Sequence, residues 1–158
     1  MAIKLIAKHV DGLPIGRNEY TQSFIDEDYV VIQHVKLVFL KFNVLNTYKI
    51  KIEKILDTIV ASKKEIEEVN KSVIGRGLVG GLVFGPIGAV LGGISGISKT
   101  KIQNKLYFVI SYNSTEGEVK NISIDVNTGS EYGEAKKLSR EINKRKPKKD
   151  NQPKVLEL

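Results

Sequence analysis

The run from Gly75 to Ser98 constrains the fold more than any other stretch of the chain. Nine of its 24 residues are glycine, and no charged side chain occurs in the 22 positions from Gly77 to Ser98. That length suffices to cross a bilayer core as a helix. Gly77, Gly81 and Gly85 recur at every fourth position, and so do Gly88, Gly92 and Gly96. Each set leaves a side-chain-free groove on one face of a helix, where another backbone can approach closely. Pro86 sits between the sets, removing a backbone donor and disfavouring a straight helix. The spacing therefore predicts two short glycine-faced helices joined at Gly85-Pro86, with Leu82, Phe84 and Leu91 as the bulkier apolar contacts. In water, six helix-interior glycines cost roughly 5 kcal/mol relative to alanine, which approaches the net stability of a small domain. A close apolar partner has to supply the difference: another helix, lipid or protein.

The flanking sequence reads differently. Ile3 to Val10 is a predicted strand, followed by turn chemistry at Gly12-Leu13-Pro14-Ile15-Gly16. Tyr20 to Ile25 and Tyr29 to Val35 are further strands, separated by Asp26-Glu27-Asp28. The apolar run continues from Leu37 to Leu45 and is expected to break at Asn46-Thr47. Beyond it Tyr48, Ile50 and Ile52 alternate with charged residues, the period of a half-buried strand. Ile55 to Ala61 reads as one more strand, and Lys63 to Asn70 is ambiguous between helix and strand. After the insert, Leu106, Phe108, Ile110 and Tyr112 fall on one face of a strand, with Tyr107, Val109 and Ser111 on the other. Asn113 to Glu118 is a hairpin loop, and Ile122, Ile124 and Val126 line the return strand. Ser130 is the expected N-cap of a closing helix. In that helix Tyr132, Ala135, Leu138 and Ile142 form one apolar stripe, opposite Lys136, Lys137, Arg140 and Lys144. The expected fold is α+β and mainly β: a bent antiparallel sheet or partial barrel, a C-terminal amphipathic helix, and a glycine-rich helical-hairpin insert. One domain is expected over residues 1–145, interrupted by the insert at 75–98, with a basic disordered tail at 146–158.

Neither set of strands has enough apolar faces for a core alone, so the two sets are expected to share one sheet. Both ends of the insert then leave on the same side, which argues against a single membrane pass. A re-entrant hairpin with about 10 residues per arm would reach roughly 15 Å deep, half the ~30 Å hydrocarbon thickness. Arg76 on one flank and Lys99, Lys101 and Lys105 on the other would lie near lipid phosphates. Burial of the hairpin on its own domain or in a homo-oligomer is the competing expectation.

The net charge of +7 lies wholly in the second half, because residues 1–70 balance and residues 71–158 carry 15 basic against 8 acidic side chains. A basic half suits an anionic partner, membrane or nucleic acid, although charge runs more often serve solvation. Tyr107, Phe108 and Tyr112, with basic neighbours, are the residues a stacking platform for single-stranded nucleic acid would use. However, that strand's apolar face is needed for the core, so nucleic-acid binding is disfavoured. The chain has no cysteine, which excludes disulfides and thiol chemistry. His9 and His34 are the only histidines, and nothing in the sequence sets an acid or nucleophile beside either. Asp26-Glu27-Asp28 reads as a polar turn rather than a cation site. The G-x-G-x-x-G match at Gly75 to Gly80 lacks a preceding βαβ context and a following acidic residue. No catalytic group, metal or cofactor is expected. The short, lysine-interrupted start of the chain does not read as a secretory signal, so the expected location is cytoplasmic, peripheral at a membrane.

Several segments together resemble the bacterial PH-like (GRAM-like) domains, above all small proteins of Gram-positive bacteria and their phages with a glycine-zipper insert. They are GLPIG at 12–16, YKIKIEKILDTIV at 48–60, KSVIGRGLVGGLVFGPIGAVLGGISG at 71–96, and LYFVISYNSTEGE at 106–118 with its return strand and helix. The resemblance implies a bent sheet capped by a helix and a binding or scaffolding role. Inositol-phosphate-binding PH domains concentrate basic residues in the first hairpin loop. Here His9 to Asn18 carries only Arg17, offset by Asp11, which argues against phosphoinositide recognition.

Overall fold

The computed structural model describes residues 2–62, 64–65 and 105–147. The glycine-rich hairpin expected at 75–98 and the tail from residue 148 onward lie outside them.

Seven strands build one antiparallel sheet: β1 (Lys4–Asp11), β2 (Tyr20–Asp26), β3 (Tyr29–Val38), β4 (Lys41–Lys51), β5 (Ile55–Ser62), β6 (Leu106–Asn113) and β7 (Val119–Asp125). A single 3₁₀ turn, Ile52–Lys54, joins β4 to β5, and the helix α1 spans Gly129–Arg145. The order across the sheet is β4-β3-β2-β1-β7-β6-β5, so β4 and β5 are its two edges. The strands before and after the insert thus share one sheet, joined where β1 pairs with β7 and β5 with β6.

Period-two alternation sets the faces. Leu5 and Ala7 of β1, Val30 and Ile32 of β3, Phe108 and Ile110 of β6, and Ile122 and Ile124 of β7 meet in the core. Leu106 and Tyr112 pack against it from the ends of β6. Tyr107 and Val109, on the opposite face of β6, are buried as well. Small polar residues fill the tight places on β2. There the Thr21 hydroxyl donates to the Ala7 carbonyl at 3.0 Å, which keeps a buried polar group satisfied.

Helix α1 packs Ala135, Leu138 and Ile142 onto this core, and each is fully buried. Burying a leucine or isoleucine side chain contributes about 1.5–3 kcal/mol, so two of them dominate the docking of the helix. Its start lies two residues before the expected cap. Thr128 is the N-cap, accepting from the Glu131 amide while the Glu131 carboxylate accepts from the Thr128 amide, at 3.2 and 3.1 Å. The reciprocal bonds need a Glu three positions after the cap, which Thr128 has and Ser130 lacks. At the other end the Lys146 ammonium donates to the Leu56 carbonyl at 2.8 Å, and the Arg145 guanidinium to the Glu27 carbonyl at 3.2 Å. A third tie is the short Thr58–Ser139 hydroxyl contact of 2.6 Å between β5 and the helix.

One strand boundary departs from the sequence expectation. Strand β4 runs through Asn46-Thr47 without ending, and absorbs the polar pair by a register slip that leaves Leu45 without a cross-strand partner. The chain reverses instead at Phe39-Leu40, between the paired residues Val38 and Lys41. Both turn residues have positive φ, 47° and 65°. A two-residue hairpin loop of this kind twists with its strands and normally uses Asn-Gly. Nothing in Phe-Leu announces such a turn.

Candidate interaction surface

Three features of the described residues offer a surface: the foot of the insert, the loop between β1 and β2, and the hairpin of β3 and β4. At the foot of the insert, Ser62 pairs directly with Leu106, so the segment between them leaves and re-enters the sheet at neighbouring positions. Both exits are held. The Ser62 amide donates to the Glu65 carboxylate at 2.8 Å, and the Glu65 amide to the Ser62 hydroxyl at 3.2 Å. This is a capping box, and Lys64 and Glu65 are already helical. On the return side the Leu106 amide donates to the Asn127 side chain at 2.8 Å, and the Val126 amide to the Leu106 carbonyl at 3.0 Å.

Of the residues expected to make contact, only Lys105 falls among those described. Its ammonium stands 3.6 Å from the Asp125 carboxylate. Burial raises the Asp125 pKa, an effect that Lys105 counters and Glu131 reinforces. Lys105 thus already has an anionic partner within the domain. Gly77, Gly81, Leu82, Phe84, Gly85, Pro86, Gly88, Leu91, Gly92 and Gly96, with Arg76, Lys99 and Lys101, lie outside the described residues.

The β1–β2 loop curls around His9. Its Nδ1–H donates to the Gly16 carbonyl and its Nε2 accepts from the Leu13 amide, each at 3.2 Å. Both ring nitrogens are spent on backbone, and only the neutral ring can make both bonds. Burial lowers the His9 pKa in the same sense, against weaker raising contributions from Gly16 and Asp11. At Gly12, φ is +102° and a Cβ would stand 2.1 Å from the Asn121 carbonyl oxygen, so the loop rests directly on β7. This loop is built to keep its shape.

His34 departs from the sequence reading, because an acid does stand beside it. Glu19 Oε2 lies 3.2 Å from His34 Nε2. The residues are 15 apart in sequence and are brought together by the pairing of β2 with β3, where Tyr20 faces Val35. No group of three or more His, Asp or Glu among the described residues could hold a metal ion. Asp26 faces Lys49 at 3.9 Å instead. Tyr107 and Phe108 are fully buried, so a nucleic-acid base cannot stack on them. A hollow of about 420 Å³ lies between the end of α1 and the β2–β3 turn, and its opposed charges, Asp28 and Glu53 against Lys51 and Arg145, favour no one ligand class.

The β3–β4 hairpin carries the exposed apolar surface. Phe39 and Leu40 are 96% and 93% exposed, and Leu37, Val44 and Leu45 are about half exposed. Phe42 leans on Tyr20 with ring centroids 6.3 Å apart. Sequence reasoning missed this feature by placing the break at Asn46. The available signal was length: no acidic residue and no Gly or Pro interrupts Tyr29 to Ile52, a span too long for one strand.

Among the described residues, no helix is long and apolar enough to cross a membrane. The family model described as "Glycine zipper containing PH domain" matches residues 19–129, from the start of β2 to the start of α1. No curated protein matches the chain.

Proposed function

The chain belongs to the family of PH domains that contain a glycine zipper, and from that membership we propose a non-enzymatic binding or scaffolding module acting at the cytoplasmic face of a membrane. In this reading the segment between β5 and β6 contacts the lipid surface or a membrane protein, and the sheet with α1 is the rigid base that presents it. The observation that carries the proposal is the pairing of Ser62 with Leu106. The segment 63–105, which holds a 22-residue uncharged, glycine-rich run, leaves and rejoins the sheet on adjacent strands, so the chain has to return to the side it left. The run therefore suits a shallow re-entrant contact better than a span. The glycines supply close approach of backbones, and the apolar environment offsets the helix propensity they lack.

Flotation on liposomes tests the proposal, with the intact chain beside a variant lacking residues 77–97. The intact protein should float and the deletion variant should float markedly less. Equal flotation of both would remove the insert from the membrane contact. Concentration-dependent association of the intact chain in lipid-free buffer, absent in the variant, would assign the insert to self-association instead.

A further inference from the structure

The β3–β4 hairpin has a charge pattern as unusual as its turn. Between Asp28 and Glu53 the chain carries Lys36, Lys41, Lys49 and Lys51 and no acid. Lys49 and Lys51 are engaged with Asp26 and Glu53, each at 3.9 Å. Lys36 and Lys41, the two nearest the tip, form no ion pair among the described residues. The cross-strand rungs run outward from the sheet as Val35–Val44, Lys36–Asn43, Leu37–Phe42 and Val38–Lys41, and then the turn Phe39-Leu40. Everything beyond the Lys36–Asn43 rung is therefore apolar, apart from Lys41 with its flexible stem.

We infer that this hairpin is a second lipid contact, in which Phe39 and Leu40 enter an anionic bilayer surface while Lys36 and Lys41 meet its phosphates. The inference rests on the membrane reading above but places the contact on different residues. Depth supports it. Two rungs and a turn at about 3.3 Å per residue reach roughly 7–10 Å, the depth at which interfacial apolar groups sit. Lysine stems at that level can carry their charges back to the headgroups.

Geometry favours lipid over a second copy of the chain. Strand β4 is an edge, and a copy pairing along it would cover backbone from Lys41 onward. Phe39 and Leu40 lie past the last rung and would stay uncovered. The leading pair of side chains is apolar, and successive rungs turn apolar groups to both faces of the ribbon. A medium that surrounds the tip buries all of them together, whereas a flat protein partner covers one face. Backbone strain adds a second reason: the turn holds two bulky residues at positive φ, where Asn-Gly is the relaxed choice.

The chain has no tryptophan, so Phe39→Trp places a sole indole reporter at the tip. On mixing the full chain with vesicles of equimolar phosphatidylcholine and phosphatidylserine, emission should shift to the blue, and brominated lipid should quench it. Pure phosphatidylcholine vesicles or high salt should weaken both effects. The double variant Phe39→Asn/Leu40→Gly suits the turn better than the native pair, so it keeps the fold. It should bind the anionic vesicles roughly tenfold more weakly or worse. If the intact chain floats while the indole emission stays fixed, the membrane reading stands and the hairpin inference falls. If deletion of 77–97 leaves flotation unchanged and the double variant abolishes it, the hairpin stands and the insert does not. A blue shift that appears without lipid as protein concentration rises would assign the tip to a second copy and overturn the inference.

Discussion

Replacing Phe39-Leu40 by Asn-Gly should make the protein more stable, although it deletes two large hydrophobic side chains. The φ angles of 47° and 65° put both residues in the left-handed region, which costs an ordinary L-residue about 1–2 kcal/mol. Exposures of 96% and 93% mean that almost no burial is lost on truncation. Asparagine tolerates this region, and glycine adopts it freely while adding about 0.5–1 kcal/mol of unfolded-state freedom. The balance is a gain of about 1–2 kcal/mol, or roughly 3–6 °C in Tm for a chain of this size. Urea and thermal unfolding followed by far-ultraviolet circular dichroism, without lipid, measure it directly. Leu40→Gly alone should recover about half of the gain. A loss of 1 kcal/mol or more would refute the reasoning, because it would mean that the two side chains are covered in the native protein. The same substitution is expected to weaken vesicle binding, so the two measurements should move in opposite directions.

Gly12→Ala should destabilise by about 3 kcal/mol or more, since it combines a positive φ with a Cβ placed 2.1 Å from the Asn121 oxygen; a denaturant titration checks it. Leu138→Ala, at a fully buried helix position against the core, should cost about 2–5 kcal/mol in the same titration. His9 predicts a pH dependence. Its folded pKa is lowered from 6.5 by burial, so between the two values the unfolded chain binds more protons than the folded one. Stability from His9 is then fully present above pH 6.5 and is lost as pH falls below it. Unfolding midpoints measured down this range should decline, and His9→Gln should flatten the decline.

What the sequence disclosed depended on whether a segment's fate was local. The stripe of α1 was readable because half-burial writes a period of 3.6 into the residues themselves, and β6 because a short β-branched and aromatic run bounded by turn residues suits a strand buried on both faces. Phe108 and Ile110, and Ala135, Leu138 and Ile142, enter the core as their spacing predicts, with Leu106 packed against it. The turn at Phe39-Leu40 was not readable, because its residues contradict the local preference for that conformation. The tertiary pairing of β3 with β4 overrides them. The Glu19–His34 contact was invisible for another reason: register between distant strands decides it. The helix cap was a near miss, separable only by asking which hydroxyl has a Glu three positions on. The insert was legible in composition alone; the expectation that the strands on either side of it share one sheet is met where Ser62 pairs with Leu106.

The pairing of β1 with β7 has a consequence for how the protein is made. Strands β1 to β4 form a continuous meander and can assemble as soon as they leave the ribosome, but β1 then presents an unpaired edge. Its partner begins to pair only once residues 123–125 exist, and the helix that covers the core follows later still. At about 5–20 residues per second, the stretch from the end of β4 to the end of β7 takes roughly 4–15 s to synthesise. Throughout that interval the half-built sheet offers an apolar face and a free edge, and the uncharged glycine run emerges during it. Chaperone demand in the cell should therefore track translation speed over residues 52–125 more closely than it tracks the stability of the finished domain.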